Sequence, residues 1–139
     1  MIARSLLVWC GLLTLAIANG TFREAVLAPR FGTGVAHTLS SVMLASLIVV
    51  MGWFALPWIG PQSLQDAWVI GATWVTLTVA FEFLGGHFLF GKPWKLLAAD
   101  YNILAGRVWI MVLIATFLAP VLVYSWRADR PVTPTFTQR

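Results

Sequence analysis

The sequence predicts an all-α integral membrane protein in which four transmembrane helices form two hairpins, with a surface amphipathic helix before the fourth span. Hydrophobic residues make up 60% of the 139 residues and charged residues 10%, against about 25% charged residues in soluble domains. Four long runs of the sequence contain few or no charged residues. Because about 20 apolar residues suffice to cross a bilayer, we expect lipid to be the solvent of this chain.

The four charge-poor runs locate the spans. Pro57, Gly60 and Pro61 are expected to turn the chain between the second and third spans, since proline and glycine interrupt helices. Pro120 should kink the fourth span or mark its last turns. The predicted spans are roughly residues 4–22, 38–60, 66–90 and 106–126.

The two ends of the chain are interpreted separately. The first apolar run, followed by Ala16 and Ala18 in the A-x-A pattern of a cleavage site, is also typical of a cleaved secretory signal, which would leave three spans. We favour a retained span because the polar Asn19 follows directly. Residues 1–126 then form one transmembrane domain. Residues 127–139 contain two prolines and three threonines with little to bury, which predicts a polar C-terminal tail.

The distribution of charge indicates partners and orientation. The net charge is +4, but the basic residues stand singly and form no basic face. This argues against a nucleic-acid partner and favours contacts with membrane lipids. If Arg23 and Arg107, which have acidic neighbours, are discounted, the positive-inside rule places both termini in the cytoplasm.

Polar residues collect in two of the three connections between spans. The connections at residues 19–38 and 85–107 both follow odd-numbered spans, so they should lie at the same face of the membrane. Because charge is costly in lipid, acids and bases of the two connections should approach one another. We therefore expect one shared ligand-binding or ion-pair site, made by Asn19, Arg23, Glu24, Glu82, His87, Asp100, Tyr101, Asn102 and Arg107.

Helical spacing refines this site. Asn19 and Arg23 are four residues apart and share one face if the first helix continues beyond the hydrocarbon boundary. Glu82 and His87 are five apart and share no face of a straight helix. The glycine pair between them could bend the helix and bring them together, or could let a neighbouring helix pack closely.

An amphipathic helix is expected before the fourth span. Large apolar side chains recur at helical spacing in residues 94–104, and Pro93 suits the start of a helix. Such a helix is typical of a segment lying on the membrane surface.

Several roles remain open for the ionisable residues. Glu82 is either a titrating functional group or part of a structural ion pair with Arg23 or Arg107, because a charge within a span is costly unless paired. The two arginines could instead bind a phosphate or carboxylate. His87 could relay protons, bind a metal or form a hydrogen bond with a carbonyl group. Residues 100–102 could contact a ligand or cap the fourth span.

Motifs for metal or cofactor binding are not found in the sequence. No HExxH spacing, glycine-rich phosphate loop or GxSxG motif occurs. The single cysteine, Cys10, lies in the first apolar run, where a thiol is typically a small hydrophobic group. We expect neither a metal nor a cofactor, and the sequence favours a function other than catalysis.

Two stretches carry a resemblance to known proteins. NGTFREAVLAPRFG, residues 19–32, and FEFLGGHFLFGKPWKLLAADYNILAGRVW, residues 81–109, resemble small four-helix proteins of the bacterial inner membrane. The resemblance implies the four-span topology and a location in the bacterial inner (cytoplasmic) membrane. It implies no activity, ligand or catalytic residue.

Three functions are compatible with these features. The favoured one is binding or passage of a proton, an ion or a small polar ligand at a buried site centred on Glu82. Passage would need a homo-oligomer, because four helices form a thin wall. The second is an accessory or structural subunit of a larger membrane complex, in which the ion pairs serve assembly. The third is an embedded enzyme that acts on a lipid headgroup at residues 94–104.

Overall fold

The chain is helical throughout the part that can be described. The computed structural model describes residues 1–89, 91–99 and 109–130. Of these residues 90% are helical and none forms a strand.

Four long helices and one short helix make up the described structure. The four long helices are long and apolar enough to cross a membrane, which confirms the predicted all-α class with four helices of spanning length. The short helix belongs to the segment expected to be amphipathic. The helices are α1 Ile2–Phe31, α2 Thr33–Ile59, α3 Leu64–Phe88, α4 Trp94–Ala99 and α5 Trp109–Ala128.

Helices α1 and α3 run in the same direction. The indole Nε1 of Trp74 donates to Ser5 Oγ at 3.0 Å, and Trp9 Nε1 donates to Thr78 Oγ1 at 3.1 Å. Both pairs are separated by 69 residues, so one turn forward along α1 matches one turn forward along α3. The C-terminal ends of α1 and α3 therefore lie together, at what we call the distal end of the bundle.

Helix α5 packs between α2 and α3 and runs antiparallel to α3. Gly71 lies against Phe117, and eleven residues further along α3 the side chain of Glu82 meets Trp109, at the start of α5. The approach at Gly71 is very close, because a Cβ atom there would lie well inside contact distance of the Phe117 carbonyl oxygen. The opposite end of the bundle, where α1 begins and α5 ends, is called the proximal end.

The core of the bundle is apolar and surrounds Trp74. This side chain is fully buried together with Leu44, Leu56 and Ile70, and its indole N–H is satisfied by Ser5. A buried indole needs such a partner, because neither lipid nor apolar side chains offer an acceptor.

The helices end where glycine permits a turn. Helix α1 continues past the predicted end at residue 22 and stops before Gly32, whose φ of 82° is favourable only for glycine. Helix α2 contains Pro57 in its last turn and ends before Gly60, which is left-handed with φ 75°. Helix α5 continues through Pro120.

Cations contact aromatic side chains at the proximal end. Arg4 donates to the Trp58 carbonyl oxygen at 2.9 Å, and Arg127 donates to the Trp53 carbonyl oxygen at 2.6 Å while lying over the Trp53 ring. Arg127 thus belongs to α5, although the predicted tail begins there. Residues 131–139 of that tail lie outside the described residues.

The close approach of α3 to α5 can be tested with Gly71→Ala. The added methyl group has no room, so we expect the free energy of unfolding to fall by about 1–3 kcal/mol. Gly34→Ala is the matched control, since a Cβ atom there meets nothing within 4 Å. Unfolding in mixed micelles, followed by circular dichroism, gives the free energy of unfolding of both variants. Equal values for the two would contradict the close packing of α3 against α5.

Candidate functional site

A polar cavity of about 220 Å³ lies at the distal end of the bundle. It is bounded by α1, α2, α3 and the start of α5, and it is large enough for several water molecules at about 30 Å³ each. Its polar lining residues are Asn19, Arg23, His37, Thr78, Glu82, Lys92 and Trp109.

Apolar side chains close the cavity toward the proximal end. A narrow space of about 30 Å³ continues below it, between Leu12, Ile48 and Val112. Beyond that space the fully buried Trp74 and Ile70 fill the bundle. In the described part of the chain, the cavity is therefore a pocket with an apolar floor.

Asn19 brings an unsatisfied acceptor to this cavity. Its Nδ2 donates to the Ser40 carbonyl oxygen at 3.0 Å, and the side chain is 6% exposed. Since a carbonyl oxygen can only accept, the amide nitrogen must face Ser40, which leaves Oδ1 without a partner among the described residues. A buried acceptor without a donor costs about 1–3 kcal/mol, so a water or ligand donor at Oδ1 would be stabilising.

Arg23 stands one helical turn beyond Asn19, at the start of a π-helical turn that spans Arg23–Leu27. Its Nε donates to Glu24 Oε1 at 3.1 Å. The Glu24 side chain is 66% exposed and does not line the cavity. An exposed ion pair of this kind contributes little to stability, and an arginine has further N–H donors with which it can contact a ligand.

Glu82 lies in a second π-helical turn, Phe81–Gly85, within α3. Its Oε2 accepts a hydrogen bond from Trp109 Nε1 at 2.8 Å. A hydrogen bond to a charged group contributes about 1.5–3 kcal/mol, so this contact fixes the start of α5 against α3. Among the described residues, the ion pair of Arg23 is with Glu24 and not with Glu82.

His87 holds the segment that carries Lys92. The His87 Nδ1 atom lies 2.9 Å from the Lys92 carbonyl oxygen and must donate, since the carbonyl can only accept. The ring stacks on Trp94 with centroids 4.0 Å apart, and Lys92 N donates to the Gly86 carbonyl oxygen at 2.9 Å. His87 itself is not in the cavity lining, so the π-helical turn does not bring it beside Glu82.

The predicted site residues thus have different placements. Asn19, Arg23 and Glu82 line one cavity, whereas Glu24 and His87 lie outside its lining. The remaining predicted residues lie outside the described residues, and they are Asp100, Tyr101, Asn102 and Arg107.

Four lining residues are missing from the predicted site: His37, Thr78, Lys92 and Trp109. His37 and Lys92 belong to the two polar connections, a signal that could have included them. Trp109 is one of eight tryptophans, and nothing in the sequence singles out its N–H group.

The lining is suited to a hydrogen-bonded or charged ligand. Arg23, Lys92 and Trp109 carry donors, and Asn19 and Glu82 carry acceptors. In the part of the chain that the structure describes, no three His, Cys, Asp or Glu side chains lie together as a metal ion would need.

Comparisons with protein-family models, with curated proteins and with solved structures found no match for this chain. The function of the cavity is therefore inferred from its shape and its lining residues.

The contact between Trp109 and Glu82 can be measured with a double-mutant cycle of Trp109→Phe and Glu82→Gln. We expect a coupling free energy of about 0.5–1.5 kcal/mol, because Trp109→Phe removes the donor, whereas Glu82→Gln keeps an acceptor oxygen and removes only the added strength of a charged acceptor. Unfolding in mixed micelles gives each of the four values. The control cycle pairs Glu82→Gln with Trp126→Phe, a half-exposed side chain at the proximal end. If the two cycles give the same coupling, the proposed link between α3 and α5 is wrong.

Proposed function

We propose that this chain is a multi-pass protein of the bacterial inner membrane that binds a small polar or charged species in the distal cavity. The four long helices would cross the bilayer as two hairpins. With the termini in the cytoplasm, the cavity would open on the periplasmic side. The observation that carries the proposal is a cavity lined by charged side chains in a bundle whose described buried residues include none that is charged.

The energetics of a membrane bundle support this interpretation. Charged side chains near lipid are rare unless they are paired or functional, because burying them in lipid costs free energy. Apolar side chains could have filled the distal end of the bundle as they fill its middle. Instead, separate segments bring Arg23, Glu82 and Lys92 to one cavity. Asn19 keeps a buried acceptor oxygen for which the described part of the chain supplies no donor.

Binding is favoured over open passage because of the apolar floor. The space below the cavity narrows to about 30 Å³, and Trp74 fills the core beneath it. Passage of a proton or ion through this bundle would need a second conformation or an oligomer. In either case Glu82 would be the titrating group, with Arg23 and Arg107 as counter-charges.

A second candidate is a structural role in a larger membrane complex. The outer surface of α2 carries exposed apolar side chains such as Val50 and Phe54, which is 74% exposed, and a partner helix could pack there. Copurification of a defined partner under mild detergent conditions would favour this role. An enzyme acting on a lipid headgroup at residues 94–104 stays a prediction, since residues 100–108 are outside the described residues.

The proposed binding function can be tested by filling the cavity. Gly20 lines it, and a Cβ atom there meets nothing within 4 Å, so Gly20→Phe should occupy the space without disturbing the fold. Gly34→Phe is the control, because Gly34 has equal room and is not in the lining. The measurement is the shift in unfolding temperature caused by a panel of inorganic ions, organic acids and short-chain phospholipids.

We expect at least one member of the panel to stabilise the wild type and the Gly34→Phe variant. At a concentration of 100 times Kd the expected gain is about 2.7 kcal/mol, and Gly20→Phe should abolish it. If no compound stabilises the wild type, or if Gly20→Phe responds as the wild type does, the cavity is not a binding site.

A further inference from the structure

We propose that the species bound in the cavity is the headgroup of an anionic phospholipid that carries hydroxyl groups, with an acyl chain of the same lipid lying along α3. This inference rests on the proposed function and specifies its ligand class. Three features of the structure carry it: an apolar groove beside the cavity, a single side chain between the two, and the order of charges and acceptors within the cavity.

The groove lies on the outer side of α3 and has a volume of about 420 Å³. Its rim is open to the surroundings, since Phe88 is 70% and Leu89 74% exposed. From Leu77 to Leu89 it follows α3 for about 18 Å at 1.5 Å per residue, which is close to one leaflet of a hydrocarbon core about 30 Å thick. Its lining is formed by Trp9, Leu77, Ala80, Phe81, Leu84, Gly85, Phe88 and Leu89.

Phe81 separates this groove from the polar cavity and lines both. It is also the first residue of the π-helical turn that contains Glu82. Helix α1 contacts α3 over a smaller surface than α5 contacts either α2 or α3. A ligand with a polar and an apolar part can therefore occupy both spaces through the seam between α1 and α3.

The charges of the cavity favour an anion at its mouth. Arg23 and Lys92 contribute two positive charges and Glu82 one negative charge to the described lining, which leaves an excess of one positive charge when His37 is neutral. Lys92 is exposed and Arg23 partly exposed, so both can reach a phosphate at the bilayer surface. Arginine in particular binds phosphate oxygens through paired N–H donors.

The acceptors lie deeper and favour a ligand that also has hydroxyl groups. Asn19 Oδ1 is buried and receives no hydrogen bond from any residue that the structure describes. Asn19 precedes Arg23 by one helical turn, about 6 Å along the axis. A headgroup in which a phosphate bears a short polyol matches this order, since its phosphate would contact Arg23 and a hydroxyl would donate to Asn19. Glu82 can accept from a second hydroxyl group.

Other occupants satisfy only part of this arrangement. A helix of a partner protein could fill the groove but would leave the Asn19 acceptor unsatisfied. A free phosphate ester could fill the cavity but would leave the groove without a specific role. A phospholipid accounts for both spaces and is available in the plane of the membrane.

Native mass spectrometry of the full chain tests this inference. The protein is released from nanodiscs that contain equal amounts of phosphatidylglycerol and phosphatidylcholine with identical acyl chains. We expect one tightly retained phosphatidylglycerol and at least a tenfold preference over phosphatidylcholine. Arg23→Gln and Lys92→Gln should each reduce that preference several-fold. Arg130→Gln, an exposed arginine at the proximal end, should leave it unchanged.

Lys92→Gln keeps the test decisive if Arg23→Gln fails to fold, because the Lys92 side chain is exposed. Equal retention of the two lipids, or equal loss with Arg130→Gln, would show general surface electrostatics and overturn the inference. Displacement of the lipid by an equal concentration of glycerol phosphate would assign the cavity to a soluble ligand. That result overturns the lipid but leaves the proposed binding function standing. If neither lipid nor any soluble compound binds the wild type, both proposals fail.

Discussion

The apolar core of this bundle offers no hydrogen-bond partners, so a polar side chain buried beside it is costly unless another polar group of the protein meets it. The contacts between helices follow from this constraint. Trp74 donates to Ser5, Trp9 donates to Thr78, and Asn19 donates to the backbone of α2. Because the first two bonds have the same sequence separation, they set the register between α1 and α3, which brings the ends of these helices together.

The distal end departs from this pattern, because it contains the polar cavity proposed to bind a ligand. Both α1 and α3 contain a π-helical turn at this end, a local widening of the helix that is frequently found at functional sites. One turn begins at Arg23 and the other contains Glu82, so each places an ionisable side chain at the same cavity. Glu82 lines the cavity, whereas His87 contacts the Lys92 carbonyl oxygen and the Trp94 ring and lies outside the lining.

The sequence predicts the helices well, because long charge-poor runs are typical of helices of membrane-spanning length, and it predicts the site only in part. The four long helices are recognisable as charge-poor runs, and Asn19, Arg23 and Glu82 are recognisable as polar residues in or beside them. Trp109 could not be recognised, because its role depends on which acceptor its N–H group meets in three dimensions. The continuation of α1 to Phe31 was left open by the sequence, since the charged residues after position 22 suit a loop as well as a helix.

The proposed function requires that water and ligand reach a polar cavity inside a bundle whose outer surface is apolar. Spin labels on α1, in a background with Cys10→Ser, test it through their accessibility to a water-soluble nickel complex and to oxygen in proteoliposomes. Labels replacing Ala16 and Gly20, which line the cavity, should be reached by the nickel complex. Labels at the exposed Thr14 and Ala18 should be reached mainly by oxygen. If all four positions show the same lipid-like accessibility, no hydrated cavity exists and the proposed binding function is wrong.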